Sequence, residues 1–460
     1  MMRFKLSAIL LTVISSQLIS SQAQAFDLLQ AWQSAHTQDP LFGVAHASAE
    51  AGKTKSLQAQ ALKRPQVTAN LGMGDINSNN EMSNAQFSAP GMGAASGASF
   101  RTQTNAGVNT QWNIRAEYPL YDVARFNSAS QLNKQAELAE VQLSNDEQQL
   151  MLRVAQAYFD TLLAADTLAT LQSQQAAVKE ALASAKERFK EGDLAIIDTH
   201  ETQARFDLLA AAVLEAESHL QLTRAILADM SGHQEAVLAA LPPKVDLQDL
   251  KAGELAEWLE RAKNNNVSLH TQLLQQDIAR EETQKHLAFK SPQLNLVAQA
   301  GGQRVDGLGS HDANLNSHQL NLGLQLTIPL YTGGMRDARY QEALALADKA
   351  QYQVEATRQQ ATREARSAWL ALSVGQSQVK ALQQAEHSAE IKLDSTRLGR
   401  DVGDRTTLDV LNSEQELYNT RLTLYRSRYQ VLLALLNLSA TAGELNETRL
   451  QQVNQLLSPE

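Results

Sequence analysis

The side chains that could carry out chemistry are few and scattered along this chain. None of the ten histidines belongs to an H-E-x-x-H pair of zinc ligands, and there is no cysteine for a thiolate metal site, a disulfide or a catalytic thiol. The glycines of Gly301-Gly302 and Gly307-Leu308-Gly309 follow a strand-like pattern but lack the rest of a phosphate-binding motif. We therefore expect no enzymatic activity, no cofactor and no metal site.

Two aspartates occupy matching positions. Asp198 lies six residues after Gly192, and Asp409 lies six residues after Gly403. Both glycines are expected to form turns between long helices, which puts each aspartate near the start of the second helix. The helix dipole favours a carboxylate there, and this structural role accounts for Asp409 on local grounds alone.

The two turns belong to an internal duplication. Matching pairs are Pro65 with Pro292, Tyr118-Pro119-Leu120-Tyr121 with Ile328-Pro329-Leu330-Tyr331, and Gly192 with Gly403. The offset between the halves falls from 227 at the first pair to 211 at the last, so the first half carries about 16 additional residues between Gly72 and Tyr118. We expect this insertion to be a lengthened surface loop, where extra residues are tolerated.

The duplication divides the chain into five segments. Residues 1–25 are expected to be a signal peptide, 26–240 the first repeat, 241–253 a connector, 254–443 the second repeat and 444–460 a C-terminal tail. Each repeat should contain a helix of about 35 residues (28–63 and 254–290), two strands and two long helices joined by the glycine turn. The expected fold class is mixed α and β, built from duplicated helix-strand-strand-helix halves.

Four segments alternate between apolar and polar residues. In residues 320–330, leucine or isoleucine stands at every second position, with Asn321, Gly323, Gln325 and Thr327 between them. Residues 106–118 alternate similarly, and 67–73 and 294–300 do so less cleanly. Runs of about ten such residues fit transmembrane β-strands with apolar side chains toward lipid. A half-buried strand of a soluble sheet is the alternative, although the polar residues suit a wet lumen better than a dry core.

Four strands are too few to close a barrel. An open sheet edge in lipid leaves backbone groups without hydrogen bonds, at several kcal/mol each. Other copies of the chain must therefore supply the missing strands, and a homotrimer would give a twelve-stranded barrel.

Long helices separate the strand pairs. Residues 125–190 contain neither proline nor glycine, and residues 336–398 contain only Gly375 among breakers. At 1.5 Å per residue, each helix would be on the order of 100 Å long. Apolar residues, many of them alanine, recur at spacings of three and four, which predicts close packing against neighbouring helices.

The N-terminus and the charge indicate an exported protein. Arg3 and Lys5 precede a short apolar run, and Ala23-Gln24-Ala25 offers a cleavage site, so we expect cleavage after Ala25. Without those two basic residues the net charge is −12, from 38 basic and 50 acidic residues, which disfavours nucleic acid as a partner. No later apolar stretch is long enough for a spanning helix.

At these features the chain resembles the TolC family of outer-membrane efflux proteins. The resemblance rests on the duplicated halves, the X-Pro-Leu-Tyr segments and residues 402–411, and it covers essentially the whole mature chain. It implies a homotrimer with a twelve-stranded barrel in outer-membrane lipid and a long periplasmic helical barrel. The connector and tail would form an equatorial belt. The partners implied are a periplasmic adaptor (membrane fusion) protein and an inner-membrane transporter, in efflux or type I secretion.

The same resemblance assigns the residues near the turns. Gly192 and Gly403 would lie at the periplasmic tip, and Asp409 would face the pore, where three copies form an acidic ring that favours cations and raises the pKa of each carboxyl. Asn412 stands where the family has a second pore acid. This departure removes three charges per trimer.

The resemblance also implies a latch that holds the tip closed. Asp198 and Arg405 match an acid and an arginine of the family's inter-hairpin network, while Arg400 and Ile197 replace its tyrosine and threonine. An aspartate between two arginines can form bidentate hydrogen bonds. A surface ion pair of little energetic consequence is the alternative. The alternative function for the whole chain is a non-channel periplasmic coiled-coil protein, structural or adaptor, and the cargo is not readable from the sequence.

Overall fold

The computed structural model describes residues 25–457, except 92, 193, 235, 244, 248, 249, 251, 252 and 309–312. The expected signal peptide thus lies almost entirely outside the described residues, as do parts of the connector and the end of the tail. The elements are α1 Leu28–Gln38, α2 Pro40–Leu62, β1 Gln66–Ala89, β2 Gly93–Tyr121, α3 Val123–Glu191, α4 Ile196–Ser231, α5 Leu255–Asn265, α6 Val267–Ala288, β3 Gln293–Leu308, β4 Ala313–Thr327, α7 Met335–Asp401, α8 Thr407–Thr441 and α9 Glu447–Asn454. The same order of helices and strands occurs twice, and the mixed α and β fold class is confirmed.

The helices α3 and α7 are the long rods of the molecule. They contain 69 and 67 residues, which corresponds to about 100 Å each. Asp122 starts α3 by accepting a hydrogen bond from the backbone N–H of Arg125 at 3.0 Å, and Gly192 ends it. Because each rod follows a strand directly, the turns at its far end lie at the opposite end of the molecule from the sheet.

The expectation of a single 35-residue helix at the start of each repeat is wrong. The first is broken at Asp39 and the second at Asn266, two positions related by the offset of 227. Each of these residues caps the helix that follows: the Asp39 carboxylate accepts from the Phe42 N–H at 2.9 Å, and the Asn266 side chain accepts from the Leu269 N–H at 3.0 Å. Capping satisfies the orphan donors at a new helix start, so the chain can change direction there.

At each break, the start of one helix meets the end of another. The Asn266 amide donates to the carbonyl of Thr441 at 2.9 Å, which joins α6 to the end of α8. Gly443 follows α8 with φ +69°, and a Cβ on it would lie 2.0 Å from the carbonyl oxygen of Asn265. In the first repeat, Gly232 (φ +75°) takes the equivalent place after α4 and faces the side chain of Gln38. Between these two joins and the sheet, α3 packs against α2 and α6. Between the joins and the hairpin turns, it packs against α4 and α8.

A core at the level of the joins holds the repeats together. Its most buried side chains include Leu28 of α1, Phe159 of α3, Leu436 of α8 and Leu450 of α9. The rods also bind the irregular segments around it. Tyr158 of α3 places its hydroxyl 2.9 Å from the carbonyl oxygen of Ala239, and Trp369, its counterpart in α7, donates to the carbonyl of Gly253 at 3.2 Å.

The four strands form one antiparallel sheet in the order β1-β2-β3-β4, with β1 and β4 at its edges. Paired residues share a face, and the pairs Ala298↔Leu322 and Ala300↔Leu320 lie on an apolar one, where Leu322 is 74% exposed. The opposite face is polar and internally hydrogen-bonded. There Arg115 donates to Gln325 at 3.0 Å and Asn295 donates to Glu117 at 2.7 Å. The predicted alternation is confirmed.

The expectation of a surface loop in the first repeat is wrong. The additional residues extend β1 and β2 as a paired hairpin that turns at Pro90 and Gly91. Pairing of β2 with β3 ends at Thr104↔Leu308, so the pairs from Asn79↔Gln103 to Ala89↔Gly93 extend about 35 Å beyond the four-stranded part. Serine, asparagine and alanine here show no apolar alternation, yet backbone pairing across the hairpin still satisfies both strands.

Among the helices that the structure describes, none is long and apolar enough to cross a membrane.

Candidate functional site

The sequence-predicted site residues lie around two helix turns at the ends of the rods. Gly192 joins α3 to α4 and Gly403 joins α7 to α8, with φ angles of +86° and +85°. Non-glycine residues are disfavoured in this left-handed region, and a Cβ at either position would meet open space. The glycines therefore serve the turn itself.

Asp409 is part of a capping box at the start of α8. Its Oδ2 accepts hydrogen bonds from the Thr406 backbone N–H and the Thr406 hydroxyl, both at 2.9 Å. The Thr406 hydroxyl in turn accepts from the Asp409 N–H at 3.1 Å. The hydrogen bond from the Thr406 backbone contributes most, followed by the bond from the Thr406 hydroxyl. Together they hold the pKa of Asp409 below its usual range within one chain. The carboxylate is thus ionised and fixed in orientation, and it is partly exposed.

Among the described residues, Asp198 forms no ion pair with Arg400 or Arg405 within one chain. The Arg400 guanidinium pairs with its neighbour Asp401 at 2.8 Å, and the stem of Arg405 packs over Gly399, whose Cβ, if present, would lie 2.7 Å from Cγ of Arg405. A bond between Asp198 and either arginine has to form between chains or after a side-chain rearrangement.

A different contact joins the two hairpins close to the turns. Arg205 of α4 donates to the Asn412 side-chain oxygen at 3.2 Å and to the Gln415 side-chain oxygen at 3.3 Å. Gln174 of α3 donates to that same Gln415 oxygen at 3.2 Å. Asn412 is therefore bonded to the neighbouring hairpin. Nothing in the local sequence indicates this contact, because its two sides lie 207 residues apart.

Ion pairs tie the second hairpin together. Lys392 pairs with Glu416 at 2.5 Å, and Arg397 pairs with the buried Glu414 at 2.7 Å. Further along, Arg421 of α8 pairs with Glu386 and Glu390 of α7. In the first hairpin, by contrast, Lys186 reaches the neutral amide of Gln203 at 3.1 Å. Together these ion pairs between α7 and α8 favour one register of the hairpin, although each exposed pair contributes little to stability by itself.

Known proteins of similar sequence and fold are outer-membrane and secretion proteins. The family model described as outer membrane efflux protein matches residues 31–233 and 258–444. The chain is 29% identical to outer membrane protein TolC of Escherichia coli (strain K12), over 95% of this chain and 86% of that protein. It is 28% identical to the proteases secretion protein PrtF of Dickeya chrysanthemi, over 97% of this chain and 94% of that protein. In fold it is similar to the CmeC outer membrane channel of Campylobacter jejuni, with a TM-score of 0.74, 15% identity and coverage of 94% and 90%.

The two-sided sheet, the long helical rods and these similarities together define an export channel of the outer membrane with a large periplasmic part. The chain belongs to the outer membrane efflux protein family. The resemblance found in the sequence is thus confirmed. The alternative hypothesis of a non-channel coiled-coil protein is not supported. The relatives are channel and secretion proteins rather than enzymes.

Proposed function

We propose that three copies of this chain close one twelve-stranded barrel in the outer membrane, continued by a helical tunnel that narrows at the hairpin turns. The observation that carries this proposal is the sheet, which has an apolar face and whose edge strands β1 and β4 have no further neighbouring strand among the described residues. In lipid those edges need partners, and three sheets of four strands give a barrel within the known size range.

Migration in detergent tests this assembly. We expect the unheated protein to run as a single species with three times the mass of the heated chain, and to form ion-conducting pores in planar bilayers. A chain that runs as a monomer before and after heating, and that conducts no ions, would contradict the proposal.

The channel is proposed to work with an inner-membrane transporter and a periplasmic adaptor (membrane fusion) protein. The sequence lacks a nucleotide-binding motif, and we propose that the inner-membrane transporter supplies the energy for export. The Dickeya relative is named a proteases secretion protein. We propose small molecules or proteins as cargo, and docking of the adaptor near the turns at Gly192 and Gly403.

Asp409 is proposed to set the ion preference of the closed tip. Asp409→Asn keeps an oxygen for the capping box but removes the charge, and should lower cation preference toward that of a neutral pore and weaken divalent-cation block by about tenfold. Asp409→Ala should act in the same direction. Single-channel recordings in salt gradients measure both quantities.

Thr406→Ala is the matched control. This substitution removes the helix cap, which should lower the stability by about 1 kcal/mol, and keeps the Asp409 charge. The ion selectivity should therefore be retained. Unchanged selectivity in Asp409→Asn would exclude a pore-facing ring.

Asp198 with Arg405 and Arg400 is proposed to latch the closed tip between neighbouring chains. Asp198→Ala or Arg405→Ser should raise the closed-state conductance severalfold, because a charge-assisted bond between hairpins is lost in three places. Arg205→Ala, which breaks the contact between α4 and α8 within one chain, should raise it independently. If Arg205→Ala opens the tip and the Asp198 and Arg405 variants do not, closure depends on the contact within the chain and the proposed latch is wrong.

A further inference from the structure

A trough of about 800 Å³ lies at the level of the joins, between α3, α7 and α8. Its floor is apolar and includes Ala371, Val431 and Ala434, and its rim carries the amide side chains of Gln378 and Gln430 among others. This volume falls within the range of sites for drug-sized molecules, about 300–1,000 Å³.

The trough has the core as its floor, since Val431 and Ala434 belong to that core, and it opens on the side of α7 and α8 opposite the irregular segments that the rods bind. Gln376 of α7 donates to the carbonyls of Leu247 and Leu250 on the core side, at 2.7 and 2.8 Å. Gln378 stands two residues later, which on a helix is about 200° around the axis. Likewise Arg428 of α8 donates to the carbonyl of Pro242, whereas Gln430 lines the trough. We infer that this open side faces the lumen of the proposed trimer.

The joins explain why there is space at this level. Between α3 and α7, helix α6 lies on the sheet side and helix α8 on the turn side. The two helices meet where Asn266 contacts Thr441, and both of these residues border the trough. Beneath it α7 and α8 touch closely: a Cβ on Gly375 would lie 2.9 Å from Cγ2 of Val431. The floor is thus closed by direct contact between helices, and the trough opens on one side.

The charge of the trough is carried by one residue. Glu364 is the only charged side chain among the described lining residues; it is exposed and accepts a hydrogen bond from Gln360 at 2.6 Å. An apolar floor suits an aromatic body, amides supply donors and acceptors, and one carboxylate without a lining cation favours positive charge.

We propose that this trough is a binding site for amphipathic organic cations, three per channel, on the route that exported molecules take. This inference rests on the proposed function, because the trimer puts the trough in the lumen. The aromatic body of the ligand lies over Ala371 and Ala434, and its positive group lies beside Glu364.

Binding of rhodamine 6G to the purified channel in lipid nanodiscs, followed by fluorescence polarisation, tests the proposal. Ala434→Trp fills the trough and should weaken binding by about tenfold or more. Glu364→Gln should weaken it by about fivefold, as expected for an exposed ion pair. Glu342→Gln, at an exposed position of α7 outside the trough, is the charge-matched control and should leave binding unchanged.

The outcomes separate this inference from the proposed function. If a trimer that conducts ions binds rhodamine 6G equally well with and without Ala434→Trp and Glu364→Gln, or binds anionic fluorescein as tightly, the trough is not a cation site while the channel stands. Failure of the wild-type chain to form a conducting trimer would instead overturn the proposed function. Should Ala434→Trp fail to assemble, Glu364→Gln and its control still decide the question.

Discussion

Replacing Gly443 with alanine is expected to destabilise the protein by about 3 kcal/mol or more and to reduce the assembled channel to a small fraction of its normal level. Two effects add. Gly443 has φ +69°, which is unfavourable for alanine, and the new Cβ would lie 2.0 Å from the backbone oxygen of Asn265. A backbone atom within a capped helix end cannot rotate away, so the join between α6 and α8 has to separate.

Gly232→Ala is the matched control at the equivalent join. Its φ of +75° carries the same conformational penalty, about 1–2 kcal/mol, but the new Cβ would meet the end of the flexible Gln38 side chain, which can turn aside. Thermal unfolding and the amount of heat-modifiable oligomer should rank the wild type first, Gly232→Ala second and Gly443→Ala last. Equal loss in the two variants would show that φ alone matters and that the close approach at Gly443 is unimportant.

Leu322→Arg is expected to prevent stable insertion into the outer membrane. Leu322 lies in the middle of the apolar face, opposite Ala298, and is 74% exposed within one chain. An arginine facing lipid near the bilayer midplane costs about 2–4 kcal/mol, and an oligomer carries that penalty once per copy. The measurement is the quantity of folded oligomer in the outer-membrane fraction.

Asn321→Arg, one residue earlier, is the control. Side chains alternate along a strand, so Asn321 lies on the polar face together with Gln325. The same arginine should be tolerated there, and its effect should be on ion conductance rather than on assembly. Comparable yields of the two variants would mean that the apolar face does not contact lipid.

Much of the fold is predictable from the sequence because its periodicities are long. Four alternating segments and two uninterrupted helical runs are confirmed as β1 to β4, α3 and α7. The breaks at Asp39 and Asn266 were also readable in principle: Asp39 precedes Pro40, a combination that starts helices, and Asn266 ends a run of three asparagines. Apolar residues continue on both sides of each break, and this continuity favours one helix over two.

The candidate site is less accessible to sequence reasoning. The capping role of Asp409 follows from its spacing from Thr406, since a Thr-x-x-Asp segment at a helix start brings the two side chains together. The contact of Arg205 with Asn412 depends on how α4 packs against α8, and no local pattern encodes it. Contacts between neighbouring chains depend on assembly, so Asp198 and Arg405 keep their proposed roles from family resemblance.

The breaks at the joins also determine how mechanical load passes along each chain. Two helices, α3 and α7, run without interruption from the sheet to the turns, whereas α4 and α8 end at the level of the core and α2 and α6 begin there. Torque applied at the hairpin turns is therefore transmitted toward the sheet by α3 and α7, the two continuous helices of each chain. The other helices meet only end to end at the joins, so we expect a twist of the lower half to be absorbed there while the strands keep their register.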